Sequence, residues 1–220
     1  MKIQSVTATM VASVAQGYNM QFTPINITSM GLCFLDEKDM LAFVGQVAGE
    51  CYNSSMDSDK CVQRALNCIK RGHHSPWEHV TLTLKCTVDR GVSHALVRHR
   101  HCAFQQSSTI YQKYNELTFI EPSLLSEDHA KQIEQEYKWH IAEGAAPSEA
   151  RDVLPNCLAT NLIITTNIRQ WMFMIQRRDG PGDSEKMHIW NAKLRDWFCQ
   201  NYPRTLGAFD SAPILGRADS

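Results

Sequence analysis

Gly-His-His-Ser-Pro-Trp-Glu-His-Val-Thr-Leu-Thr-Leu-Lys-Cys-Thr-Val, residues 72 to 88, is the passage on which the fold class turns. From Val80 to Val88 the apolar residues Val80, Leu82, Leu84, Cys86 and Val88 alternate with Thr81, Thr83, Lys85 and Thr87. Successive side chains of a strand face opposite ways, so this is a strand with one buried and one polar face. Upstream, Asp57 or Ser58 caps a helix that carries Cys61, Ala65, Leu66 and Ile69, and Gly72 stops it after Lys70 and Arg71. The cluster His73 to His79 therefore sits between a helix end and a strand start, where binding groups are commonly presented.

Outward from that passage, helices and strands mix irregularly. Ile3–Val14, with Val6, Ala8, Met10 and Val14, reads as a strand, and a polar, turn-prone section follows with Gly17, Asn19, Pro24 and Asn26. Glu37–Cys51 places Met40, Leu41, Val44, Val47, Ala48 and Cys51 at helical spacing. Downstream, Gly91 opens a helix over Val92–Cys102, with Ala95, Leu96 and His99 on one face and Arg98 and Arg100 elsewhere. Ser126 caps a helix to Ile141 that Gly144 ends, and Pro147–Leu154 is a short helix that brings Arg151 to its end before Pro155. Cys157–Thr166 is extended, Asn167 caps a helix over Ile168–Arg178, Asp179-Gly180-Pro181-Gly182 breaks it, and a last helix runs from Asp183 to about Gln200. Its core stripe is Met187, Trp190, Leu194, Trp197 and Phe198. This succession predicts an α+β single domain, a mixed sheet with packed helices, over residues 1–203, with a poorly ordered tail over 204–220.

Composition narrows the function classes. Lys and Arg number 22 against 23 Asp and Glu, a net charge of -1, which argues against nucleic-acid or membrane-surface binding through global charge. The eight cysteines contain no Cys-x-x-Cys pair and fall in helix or strand interiors, as expected of buried thiols in a reduced, cytoplasmic chain. Neither a secretion signal nor an apolar run long enough to span a membrane is expected.

The chemistry is concentrated in Arg98–Tyr114, Arg-His-Arg-His-Cys-Ala-Phe-Gln-Gln-Ser-Ser-Thr-Ile-Tyr-Gln-Lys-Tyr. Guanidinium groups suit phosphate and carboxylate, so Arg98 and Arg100 beside amides and hydroxyls form either a polyanion site or a solvated basic helix end. His73, His74, Glu78 and His79 read as metal ligands or as hydrogen-bonding groups; their spacing differs from His-Glu-x-x-His, and Pro76 disrupts a helix there. Ser107, Ser108 and Cys102 are conceivable nucleophiles, but the Gly-x-Ser-x-Gly elbow is missing. Gly180-Pro181-Gly182 lacks the spacing of a phosphate loop, and no Gly-x-Gly-x-x-Gly occurs, so any dinucleotide binds in a manner other than Rossmann's. Arginines near helix ends (Arg98, Arg100, Arg151, Arg169, Arg177, Arg178) favour several phosphates or one large anionic cofactor with an anionic substrate.

Gly-His-His-Ser-Pro-Trp-Glu-His at 72–79, then a strand, then Arg98-His99-Arg100 followed by seven residues and Ser108, resembles the flavin-dependent thymidylate synthases and their Arg-His-Arg-x7-Ser signature. Glu149-Ala150-Arg151, Thr166-Asn167-Ile168-Arg169 and Arg178, eleven residues past Asn167, follow in that family's order, and Cys51-Tyr52 fits its first helix end. The resemblance implies a homotetramer with active sites shared between subunits, FAD as cofactor, and reductive methylation of dUMP at C5 to dTMP with methylenetetrahydrofolate and NADPH. It implies that His73, Ser75, Glu78, Arg98, His99, Arg100, Asn167 and Arg169 contact FAD, that Gln106, Ser108, Arg151 and Arg178 hold the nucleotide, and that Arg178 and Ser108 serve catalysis. It implies no metal and no enzyme nucleophile.

Three departures from the family pattern stand out. Ala95 replaces a glutamine three residues before Arg98, Ile110 replaces an arginine that meets the nucleotide phosphate, and Asp183-Ser184-Glu185-Lys186-Met187-His188 replaces Ala-Gln-x-Glu-Ile-Arg. A charge-assisted hydrogen bond contributes on the order of 1.5 to 3 kcal/mol, so Ile110 weakens phosphate binding unless another cation, such as Lys113, compensates. The same changes admit a divergent member that modifies C5 of a cytidine nucleotide or a ribonucleotide, makes a hydroxymethyl product, or binds flavin and nucleotide without catalysis.

Overall fold

The computed structural model describes residues 21–32, 36–54 and 56–212. The strand expected over Ile3–Val14 lies outside them. In chain order the elements are β1 (Gln21–Thr23), β2 (Asn26–Leu32), α1 (Glu37–Glu50), α2 (Ser58–Lys70), a 3-10 turn at Ser75–His79, β3 (Thr81–Asp89), α3 (Arg90–Leu96) and β4 (Ala103–Gln106). There follow β5 (Thr118–Ile120), α4 (Glu127–Ala142), α5 (Pro147–Ala150), a 3-10 turn at Arg151–Val153, β6 (Ala159–Asn167), α6 (Ile168–Arg177), α7 (Glu185–Asn201) and α8 (Pro203–Asp210). The fold is α+β. β2, β3, β6 and β4 form one sheet in that order, and β1 pairs in parallel with β5.

β3 has the predicted alternation, with Leu82, Leu84, Cys86 and Val88 all buried. Its pairing with β6 is antiparallel: Ile168 N donates to Val80 O (3.0 Å), Thr83 Oγ1 lies 2.9 Å from Thr165 Oγ1, and Thr87 Oγ1 donates to Asn161 Oδ1 (2.9 Å), so partners fall back as β3 advances.

The described residues fall into two compact units. One comprises residues 21–28, 85–98 and 104–163. Its core is Leu117, Phe119, Ala130 and Leu158, with Tyr114, Leu125, Ile133, Leu154 and Cys157 packed around. The buried Glu134 carboxylate accepts from Leu117 N (3.2 Å) and pairs with Lys138, so α4 holds the entry to β5 through a charged acceptor.

The other unit comprises 29–32, 36–54, 56–84, 99–103 and 164–212. Asp36 and Asp57 cap α1 and α2, accepting from Asp39 N (2.8 Å) and Lys60 N (3.0 Å). The two helices meet at Gly45, where an added Cβ would lie 1.9 Å from the Cys61 carbonyl oxygen, and Arg64 Nη1 donates to Gly45 O (2.8 Å). α6 buries Trp171, Met172 and Ile175, as its spacing predicts, and Trp171 Nε1 donates to Leu82 O (3.2 Å). Of the expected α7 stripe, Met187, Trp190, Leu194 and Phe198 are buried and Trp197 is half-buried.

Several expectations are corrected. The section expected to be turns contains β1 and the start of β2, because strand pairing there outweighs local polarity. The helix expected over Val92–Cys102 is Arg90–Leu96: Asp89 Oδ1 caps it through Val92 N (2.6 Å), and beyond Leu96 the polar Arg98–His101 offers no apolar face to continue it. Pro203, where disorder was expected to begin, opens α8, which buries Leu206 and Phe209. The signal missed there is Glu37, whose carboxylate caps α8 by accepting from Arg204 N (3.2 Å) and Thr205 N (2.7 Å) from 168 positions away. Cys61 and Cys86 are buried thiols as expected, but Cys51 and Cys199 are exposed.

Candidate active site

Gly72, with φ of 74°, turns the chain out of α2, and His73 N then donates to Cys68 O (2.8 Å). That stop launches the 3-10 turn and sorts the imidazoles. His74 is buried, its ring 5.4 Å from that of Phe209, and burial lowers its pKa. His73 and His79 stay exposed and, with Ser75 and Arg71, border a cavity of about 960 Å³ whose apolar wall includes Val47 and Ala48. The three rings do not converge, and no metal-like group of three ligands occurs among the described residues. Glu78, from the same turn, forms an ion pair with Arg169 in the first turn of α6, both side chains nearly half exposed. Asn167 caps that helix, its Oδ1 accepting from Gln170 N (2.9 Å), which sets Arg169 beside Glu78.

After α3 the chain alternates: Arg98 and Arg100 are exposed and His99 is buried. The His99 ring is held on three sides. Its Nε2 accepts from Arg178 Nε (3.0 Å), Gln170 Nε2 lies 3.5 Å from its Nδ1, and Phe173 meets it edge-on with centroids 6.1 Å apart. Arg178, the residue that ends α6, also reaches Asp183 Oδ1 through Nη1 (3.3 Å), and both of those side chains are largely buried. Accepting from a guanidinium requires an unprotonated Nε2, so this ring is neutral. Burial, then Arg178 and Arg177, lower the pKa of His99 from 6.5 to about 4 against the opposing pull of Asp183.

A pH dependence follows. Unfolded, His99 takes up a proton near 6.5; folded, only near 4. Between these values the unfolded chain binds the extra proton, so stability due to the neutral ring is complete above 6.5 and is lost as pH falls toward 4. His74 adds to this slope in the same direction. Thermal denaturation from pH 7.5 down to pH 4 should show a falling Tm, less steep in His99→Asn; an equal slope in the variant contradicts this account of the ring.

The other candidates lie elsewhere in the chain. Cys102 is half-buried with Sγ 3.8 Å from Met174 Sδ, and burial raises its pKa, which keeps it a thiol and a poor nucleophile. Ser108 Oγ accepts from Ile110 N (3.1 Å), and among the described residues no imidazole partners it. In the same unit Gln106 Nε2 donates to Ser93 Oγ (3.0 Å) and Thr160 Oγ1 (3.3 Å), which ties its amide nitrogen into β4's own support. Arg151 is exposed at the end of α5. The structure thus gathers Glu78 with Arg169, and His99 with Arg178, while His73 and Ser75 border the cavity. Gln170, Phe173 and Asp183 were missed as participants. Gln170 carried a signal, three residues after its cap, and so did Asp183, which opens the segment that departs from the family pattern.

The family profile described as Thymidylate synthase complementing protein matches residues 35–196. The chain belongs to this family. Among relatives, a flavin-dependent thymidylate synthase of Clostridium tetani is 32% identical, over 55% of this chain and 59% of its own. One of Pyrococcus furiosus is 29% identical, over 67% of this chain and 66% of its own. The chain therefore spans less than two thirds of the length of each of these two family members. Among solved structures, that of a UMP/dUMP methylase, PolB, from Streptomyces cacaoi bound with 5-Br dUMP shares the fold, with a TM-score of 0.72 at 20% identity over 90% of this chain and 99% of that one. No helix among the described residues is long and apolar enough to cross a membrane.

Proposed function

We propose that the protein carries out FAD-dependent reductive methylation of dUMP at C5 to give dTMP, with methylenetetrahydrofolate as carbon source and NADPH as reductant, in a homotetramer with shared active sites. The observation that carries this reading is the guanidinium of Arg178, fixed by a neutral His99 and by Asp183 at the end of a helix that Asn167 caps and whose first turn bears Arg169. An immobilised cation suits charge that develops on a uracil carbonyl as C5 becomes nucleophilic. The relatives' name, flavin-dependent thymidylate synthase, points the same way.

The side chains fit a flavin dinucleotide by their chemistry. Exposed guanidiniums at Arg98, Arg100 and Arg169 suit a pyrophosphate, Ser75 and His73 add hydrogen-bonding groups, and the apolar wall formed by Val47 and Ala48 suits a flat ring. In this reading His73, Ser75, Glu78, Arg98, His99, Arg100, Asn167 and Arg169 hold FAD, which supplies hydride chemistry when bound. Gln106, through its carbonyl oxygen, together with Ser108, Arg151 and Arg178 holds the nucleotide. No side chain attacks the base, which agrees with the raised pKa of Cys102 and with a Ser108 hydroxyl that accepts from Ile110 N.

Ile110 favours a second reading, action on UMP or another pyrimidine nucleotide. It is 43% exposed where the family's arginine meets the nucleotide phosphate, and PolB, which shares the fold, is a UMP/dUMP methylase. Exposed Lys113 is the nearby cation in sequence that can compensate. The test is release of tritium from C5-labelled dUMP, UMP and a cytidine nucleotide by flavin-loaded protein with folate and NADPH. Release from dUMP supports the first reading. Release from UMP alone, or from a C5-labelled cytidine nucleotide alone, replaces it with the second, and release from none of the three, with flavin bound, leaves a noncatalytic binding protein.

A further inference from the structure

The segment after Arg178 departs from the family pattern, and its geometry is specific. Pro181 and Gly182 occupy the centre of a turn closed by Asp183 N donating to Gly180 O (3.1 Å), which folds Asp183 back toward the end of α6. The far end of the turn is anchored too, because Ser184 caps α7 by accepting from Met187 N (3.3 Å). Asp179 Oδ1 lies 3.6 Å from His188 Nδ1, a second tie between the loop and α7. The Asp183 carboxylate is thus held at a fixed place, only 16% exposed, against an Arg178 side chain that is 19% exposed.

We propose that Asp183 is a positioning residue that sets the plane of the Arg178 guanidinium for the pyrimidine ring, an inference that rests on reading Arg178 as a nucleotide ligand. One contact, from Nε to His99 Nε2, fixes a point on the guanidinium and leaves its plane to pivot. The second contact, from Nη1 to Asp183 Oδ1, lies on another edge of the same rigid group and removes that freedom. An arginine so held forms its ligand hydrogen bonds without ordering its own rotamers first, which is where preorganisation adds affinity. The Gly-Pro-Gly turn is then part of the nucleotide site by way of Asp183, although it touches no ligand itself.

The test is a double-mutant cycle in the flavin-loaded full chain, titrated with dUMP and with UMP by the change in flavin absorbance. D183A should weaken nucleotide binding about tenfold, the size of one charge-assisted hydrogen bond, with flavin content unchanged. D183E should recover part of the loss. In an R178A background, already weakened, D183A should add nothing, since the residue acts only through the arginine. If D183A fails to retain flavin, the isosteric D183N carries the same comparison. Nucleotide affinity unchanged by D183A, or weakened by the same factor with and without Arg178, overturns the assignment while leaving the role of Arg178 standing. R178A that binds both nucleotides as tightly as the parent overturns the reading of Arg178 and this inference with it.

Discussion

Arg178→Ala is expected to slow C5 tritium release from the accepted nucleotide by about 10²–10³-fold, the cost of removing one preorganised electrostatic donor. Most of the bound flavin should survive: His99, a proposed ligand, loses its contact with Arg178, but Glu78 and Arg169 pair with each other independently of it. The loss should fall on kcat more than on KM if the guanidinium acts on charge that forms only in the transition state. Arg178→Lys should not rescue. Lysine offers a point charge, whereas His99 Nε2 and Asp183 Oδ1 are met by two different edges of a planar fork. Truncation also leaves His99 and Asp183 half-buried or buried without their shared partner, so the pKa of His99 should rise once the adjacent cation is gone. An imidazole titration followed by NMR would register that rise. A variant with parental tritium release removes Arg178 from the chemistry altogether.

The second large effect is on stability. Gly45→Ala should destabilise the protein by about 3 kcal/mol, at the upper end of overpacking costs. Alanine improves helix propensity by roughly 1 kcal/mol over glycine, so propensity alone predicts the opposite sign. The clash wins because the new Cβ would sit 1.9 Å from the carbonyl oxygen of Cys61, and backbone cannot swing aside as a flexible side chain does. α1 and α2 would have to separate, which also pulls Gly45 O from Arg64 Nη1 and opens the wall shared with the cavity. At about 2–4 °C per kcal/mol for a chain of this size, Tm should fall by roughly 6–12 °C. Gly207→Ala is the control: it lies in α8, exposed, with open space around the added Cβ, and should be neutral or slightly stabilising. Equal Tm values for the two variants would mean that the helix contact tolerates a methyl group.

Much of this architecture is legible in the order of residues, and the legible part is local. The caps at Asp57, Ser126 and Asn167, the stops at Gly72 and Gly144, and the alternation along β3 all lie where a reading of adjacent residues puts them. Each depends on groups within about four positions of one another, so the chain carries the whole cause in one place. The misses share the opposite character. β1 pairs with β5 nearly a hundred residues on, and α8 owes its capped start to Glu37 at the other end of the chain. α3 stops early because the residues after Leu96 offer no apolar stripe, and the buried one among them, His99, is held by Arg178 from 79 positions away.

The candidate site divides along the same line. The resemblance carried by the motifs names His73, Glu78, His99, Arg169 and Arg178 as ligand-binding positions, and the arginines among them suit an anion by residue type, because residue type and interval are properties of the linear chain. Whether a named group is a ligand's partner or a neighbour's is a matter of three-dimensional contact. That Glu78 meets Arg169, that His99 is neutral under Arg178, and that a turn of Gly, Pro and Gly returns Asp183 to the same guanidinium arose only with folding. Those contacts join residues from 5 to 91 positions apart, and burial rather than composition sets the charge state of the imidazole among them.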